Sequence, residues 1–193
     1  MFTLSWGPSK RFSELSEREI LALAISLEEE DGRIYRDFAN ALRDTFPHSA
    51  KVFEDMAEEE SQHRRRLLQL YQQKFGEHIP LIRREHVRGF IRRRPVWLMK
   101  HRNLKTIRRM AEDMEQETRN FYLKAAQQVQ DLAIRALLVD LAETEAQHAS
   151  LARRLRAAYL TEQAEESEAE TARRRFVLQI VQPGLAGLMD GSV

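Results

Sequence analysis

Four stretches of this 193-residue chain carry apolar residues at helical 3/4 spacing, and near its middle every stripe is broken by a glutamate. The first stripe reads Leu21, Ile25, Glu28, Gly32, Tyr35, Ala39, Leu42 and Phe46, and the second Phe53, Met56, Glu60, His63, Leu67 and Leu70. The third reads Leu104, Arg108, Ala111, Glu115, Thr118, Tyr122, Ala125 and Val129, and the fourth Ile134, Leu138, Leu141, Glu145, His148, Ala152, Leu155 and Tyr159. If the stripes meet, Glu28, Glu60, Glu115 and Glu145 enter one core together with His63 and His148. Burying such groups unpaired costs on the order of several kcal/mol each. No Lys or Arg holds a matching central position, so a pair of divalent cations would supply the missing charge. The competing reading is a metal-free bundle.

Spacing supports the cations. Glu60-x-x-His63 and Glu145-x-x-His148 each place both side chains on one helix face, where they can share an ion. Glu28 and Glu115 come singly from the other two helices and can bridge. One Glu from each of two helices plus Glu-x-x-His from each of the other two is the ligand pattern of di-iron and di-manganese carboxylate bundles. The chain also repeats itself. Tyr35 follows Glu28 at +7 and Tyr122 follows Glu115 at +7, while the Glu-x-x-His pairs lie 32 and 30 residues after the single glutamates. Two such halves about a pseudo-two-fold would build one shared centre. Tyr35 and Tyr122 are either core aromatics or hydroxyls that bond the bridging carboxylates. Glu29, Glu30, Glu58, Glu59, Glu112, Glu117 and Glu143 read as solvated flanks.

Composition agrees with an all-α chain, since Gly and Pro number only 7 and 5. There is no Cys, which excludes disulfides, zinc fingers, Cys-ligated iron and thiol nucleophiles. Acids and bases nearly cancel, 30 against 31, so nothing in the net charge argues for nucleic acid as a partner. No secretory leader is legible at the N-terminus, and no uncharged apolar run reaches the roughly 18–20 residues of a membrane span.

Helix boundaries are marked. Ser16 and Glu19 form a capping box, with Leu15 and Ile20 as its hydrophobic staple. The first helix should end before Pro47 and the second run from about His48 to Phe75, with Gly76 beyond its end. Gly89 and Pro95 forbid one continuous helix over 80–102. The third helix is expected from about Leu104 to Gln130, and the fourth from near Asp131 without a breaker until Pro183. Short turns within 16–76 and 103–160 and one long crossover between them give two antiparallel hairpins, a four-helix bundle of the ferritin-like kind. Residues 1–15 read as an N-terminal arm and 161–176 as a helical stalk. One helix from Asp131 to Arg175 would extend roughly 65–70 Å.

The segments EEEDGRIYRDFA, MAEEESQH, MEQETRNFYLKAA and LAETEAQH resemble the helices of a rubrerythrin-type ferritin-like domain over about residues 16–160. This resemblance implies two iron ions, or manganese in their place, held by Glu28, Glu60, His63, Glu115, Glu145 and His148. Rubrerythrins carry a further Glu three residues after the third-helix Glu, where this chain has Thr118. Asp31, at +3 in the first helix, offers an oxygen instead. The C-terminal stretch RRRFVLQIVQPGLAGLMDGSV resembles the start of a vacuolar-iron-transporter-type membrane domain, against an ordinary apolar tail. Residues 177–193 would then begin a membrane domain that is truncated here.

Together the two resemblances point to the membrane-bound ferritin family, of which this chain looks like the soluble ferritin-like part. They imply iron export or detoxification and protection from peroxide stress. The full-length protein would lie at the cytoplasmic face of the inner membrane, with Fe(II) and O2 or H2O2 as reactants and ferroxidase turnover as the possible activity. The alternatives are a peroxide reductase fed by an external electron donor and a non-catalytic bundle stabilised by metal. Between Arg83 and Arg109 stand eleven Lys and Arg against the single acid Glu85. That segment is read either as lying on an anionic membrane surface or as a solvated crossover or dimer contact facing the acidic run Glu162–Glu170. A homodimer is expected, with swapping of hairpins left open.

Overall fold

Ser16 caps the first helix, accepting the Glu19 amide on its hydroxyl while the Glu19 carboxylate takes the Ser16 amide back. That helix, α1, spans Glu17–Leu42 in the computed structural model, which describes residues 10–82, 84–88, 104–159 and 170. Leu15 and Ile20, the staple pair, are both buried in the same apolar cluster. A short turn leads to α2, Pro47–Phe75, with the proline at its first turn, where the missing amide costs nothing. Gly76 ends α2 with φ +77°, a backbone angle that favours glycine. Helix α3 covers Leu104–Gln128 and α4 Leu132–Tyr159. Asp131 caps α4, its Oδ1 accepting the amides of Ala133 (2.9 Å) and Ile134 (3.1 Å). Each expected helix is present; all four starts and the ends of α2 and α3 lie within two residues of their expected places, α1 stops four residues short of Phe46, and the expected end of the fourth helix lies outside the described residues.

The helices pair as two hairpins, α1 with α2 and α3 with α4, with the long crossover between them. The hairpins are pinned together at one end. Glu17 Oε1 accepts the amides of Gln130 (2.5 Å) and Asp131 (2.8 Å), so the start of α1 holds the turn between α3 and α4. Gln128 Nε2 donates to the carbonyls of Phe12 (3.0 Å) and Leu15 (2.8 Å). Ion pairs Lys74–Asp131 and Arg66–Asp140 join α2 to α4.

Two apolar clusters fill the bundle. One gathers Leu21, Ile25, Leu67, Tyr71, Phe121, Ile134, Leu138 and Leu141 with their neighbours. The other gathers Ile34, Tyr35, Phe38, Ala39, Phe53, Met56, Ile107, Ala111 and Met114. Along every helix the glutamate of the broken stripe lies at the edge of these clusters, so the polar residues form a layer between two dry ones.

A small parallel β-pairing, which no sequence pattern announces, joins the N-terminal segment to the crossover. Strand β1, Lys10–Arg11, runs beside β2, Val87–Arg88, in the crossover. Phe12, in the 3-10 turn that follows β1, buries its ring edge-on against Phe121 at 6.0 Å between centroids. Residues Lys10–Leu15 thus pack on the bundle and help bury α1 nearly all round at Ile20–Ile25. The arm before residue 10, most of the basic segment over 89–103, the stalk over 161–176 and the membrane-like stretch over 177–193 lie outside the described residues, residue 170 apart. No helix of the described residues is long and apolar enough to cross a membrane.

Candidate metal centre

Amphipathic periodicity carries all six expected ligands to one layer. Glu28, Glu60, Glu115 and Glu145 are each no more than 2% exposed, although ionised carboxylates ordinarily stay in water. Glu28, Glu60, His63 and Glu145 bring ligand atoms within 4.8 Å of one another, and so do Glu60, Glu115, Glu145 and His148. Glu60 and Glu145 belong to both groups. The residues common to both groups are therefore the glutamates of the Glu-x-x-His pairs, not the single ones. Each single glutamate stays beside the imidazole of its own hairpin, Glu28 Oε2 at 3.4 Å from His63 Nδ1 and Glu115 Oε2 at 3.9 Å from His148 Nδ1. The glutamates of the Glu-x-x-His pairs reach across, as Glu145 Oε1 does to His63 Nδ1 at 3.3 Å.

These contacts converge without satisfying one another. Glu60 Oε2, Glu115 Oε2, Glu145 Oε1, His63 Nδ1 and His148 Nδ1 are all buried atoms that make no hydrogen bond. Orphaned acceptors at such density are costly in a protein interior. A metal ion is the species that several carboxylate oxygens and imidazole nitrogens can all approach at once. The donor set contains O and N but no sulfur, which suits iron, manganese or zinc. The residues therefore fit a pair of divalent ions.

The electrostatics of the layer point the same way. Burial, reinforced by the charge of Glu28, pushes the Glu60 carboxyl well above its usual range, and burial with Glu145 beside it does the same to Glu115. Burial opposes charge on His63, yet the Glu145 and Glu60 carboxylates outweigh it and raise its pKa to about 9. Burial likewise opposes charge on Glu145, but Glu115, His148 and His63 hold it well below the usual carboxylate range. Without metal, protons stand in for the missing cations.

Two tyrosines tie the halves together crosswise. Tyr35 of α1 donates its hydroxyl to Glu115 Oε1 of α3 at 2.7 Å, and Tyr122 of α3 donates to Glu28 Oε1 of α1. Their partners are the two single glutamates named in the sequence. Such bonds fix which carboxylate oxygen faces the centre. Burial, then Glu115, raises the Tyr35 pKa well above its usual value, so the phenol stays a donor.

Asp31 faces Thr118. It is buried but belongs to neither group, and its Oδ2 accepts the Thr118 hydroxyl at 3.0 Å. The two +3 positions of α1 and α3 thus meet each other across the bundle. Glu59, read as a solvated flank, does more than expected. Its Oε2 lies 2.9 Å from His148 Nε2 while the residue remains partly exposed. The rings of His63 and His148 stack nearly parallel, 5.8 Å apart and 9° from coplanar. Helical spacing puts Glu59 at the rim of the α2 stripe beside Glu60. Nothing in the sequence says which carboxylate of the run Glu58–Glu60 meets a histidine of α4.

Comparison with known proteins bears on the family. None of the curated proteins is significantly similar to this chain. A solved structure of a hypothetical protein from Pyrococcus furiosus is similar in fold, with a TM-score of 0.59 and 24% identity over 76% of this chain and 92% of that one. The sequence profile described as Rubrerythrin matches residues 19–156, from the capped first turn of α1 into the last turns of α4. With a match of that extent over a bundle of this layout, the chain belongs to the rubrerythrin family.

Proposed function

We propose that this domain binds two iron ions at Glu28, Glu60, His63, Glu115, Glu145 and His148 and oxidises Fe(II). The observation that carries the reading is the pair of overlapping ligand groups that share Glu60 and Glu145 in a buried layer. Two Fe(II) bound side by side supply two electrons, enough to reduce O2 to H2O2 or H2O2 to two waters with two protons taken up. The protein's part is positioning. Glu60 and Glu145 hold the two positions at a fixed separation, and His63 and His148 each anchor one of them. Tyr35 and Tyr122 keep Glu115 and Glu28 aimed inward. The apolar clusters on either side of the layer exclude bulk water.

Repeated peroxide reduction needs electrons returned to the centre by a donor, whereas one oxidation of each Fe(II) needs none, so turnover that stops after a single oxidation separates iron oxidation from a peroxide reductase with an external donor. The C-terminal likeness to an iron-transporter domain supports a role in iron export or detoxification at a membrane.

The test is Glu60→Ala combined with Glu145→Ala, followed by anaerobic Fe(II) titration and then exposure to O2 or H2O2. Loss of both ions and of rapid Fe(III) formation is expected. Unchanged binding and oxidation would overturn the reading.

A further inference from the structure

The match between the two hairpins fails beside the centre where Asp31 of α1 stands against Thr118 of α3, and it fails again behind His148. Glu59 immediately precedes Glu60 and sits against His148 of the other hairpin, Oε2 to Nε2 at 2.9 Å. The residue immediately before Glu145 is Thr144, whose hydroxyl donates to the Asp140 carbonyl at 3.0 Å within its own helix. No carboxylate therefore stands at that place in the second half. His148 is nine-tenths buried, and its Nδ1 makes no hydrogen bond and points toward the Glu115 and Glu145 oxygens, 3.9 and 3.8 Å away. A proton on Nε2 donated to Glu59 leaves the Nδ1 lone pair facing the centre, and it fixes the ring's rotation.

We infer that Glu59 is a positioning residue for His148 and makes the two metal positions unequal. The position defined by Glu60, Glu115, Glu145 and His148 binds its ion more tightly than the one defined by Glu28, Glu60, His63 and Glu145. A carboxylate behind a ligating imidazole selects the tautomer, orients the ring and raises the basicity of the nitrogen that binds the metal. Removing such a partner typically lowers affinity about 10–100-fold. Because Glu59 is 43% exposed on its side chain, its effect is expected toward the lower end of that range. The inference rests on the metal-centre reading above.

Cobalt(II) titration of the intact metal-free chain, followed by visible absorption, tests it without any turnover. The His63→Ala protein keeps the His148 position and should bind cobalt more tightly than the His148→Ala protein. In the His63→Ala background, adding Glu59→Ala should weaken cobalt about tenfold and alter its ligand-field bands. Glu59→Gln, which can still accept from Nε2–H, should lose less. In the His148→Ala background, Glu59→Ala should change affinity less than about twofold. An equal loss in both backgrounds would reduce Glu59 to a general field effect, and no loss in the first would remove its role altogether. Either overturns the inference while leaving the metal centre standing. Wild-type protein that takes up no cobalt would instead overturn the metal centre, and the inference with it. If a histidine variant does not fold, the imidazole 15N spectrum of the zinc-loaded wild type decides. A protected His148 Nε2–H that is lost in Glu59→Ala supports the inference, and an unprotected one contradicts it.

Discussion

At the scale of single residues, the site is held together by a charge problem that protons solve in the absence of metal. The metal-free folded protein binds more protons than the unfolded chain. Glu60 and Glu115 are raised above their ordinary 4.5, and His63 is raised from 6.5 to about 9. Groups whose folded pKa is raised contribute stability at low pH and lose it as pH climbs through the folded value. The metal-free protein should therefore become less stable between about pH 4.5 and 9. Glu145 is shifted the other way, and its contribution is lost only on acidification below its ordinary 4.5. Bound cations displace these protons and remove the penalty. The rise in Tm on adding Mn(II) should accordingly grow from pH 5.5 to pH 8, as followed by thermal unfolding with and without the ion. A rise that shrinks over that interval would contradict the charge account.

At the scale of elements, the approach of α1 to α2 sets where Glu60 lies. Gly32 faces α2 at that point, and a Cβ placed on it would stand 3.4 Å from Glu60 Cβ and 3.6 Å from the Ala57 carbonyl oxygen. An alanine fits at ordinary contact distance, and loses less backbone freedom in a helix than glycine does. Gly32→Ala should be neutral or slightly stabilising, whereas Gly32→Leu should push the helices apart, cost about 1–3 kcal/mol and weaken metal uptake. Urea unfolding alongside a metal titration checks both, and a leucine variant with wild-type affinity would show that the approach does not govern Glu60.

The helices themselves were legible because their signals are local. Ser16 with Glu19, Pro47 at a first turn and Gly76 past a last one each act within a few residues. The β1–β2 pairing was not legible, since it joins two residues of the N-terminal segment to two in the crossover and neither stretch carries an alternating pattern. The same limit applies to the glutamates common to both ligand groups. Periodicity reports which residues share a helix face, and Glu28 and Glu60 are alike in that respect. Which of them enters both groups depends on the depth to which each helix is set into the bundle, and that is fixed by packing between hairpins. Glu59 escaped for a related reason, because its partner His148 belongs to the other hairpin.

For the molecule as a whole, the repeat in the sequence becomes a structural division of labour. Two hairpins bury apolar clusters at either end and leave between them a polar layer that neither could complete alone. Glu17, Gln128, Lys74 and Arg66 pin the hairpins to each other, and Tyr35 and Tyr122 cross between α1 and α3 inside. Membership of the rubrerythrin family agrees with that layout, whose six inward-facing groups are costly to bury without a balancing charge. The central claim is that two cations occupy it. Anomalous diffraction from crystals of the metal-loaded protein, collected at the iron and manganese edges, gives the number, identity and place of the ions in one experiment. Two peaks are expected, one among Glu28, Glu60, His63 and Glu145 and the other among Glu60, Glu115, Glu145 and His148. An absence of anomalous density between the hairpins would contradict the account.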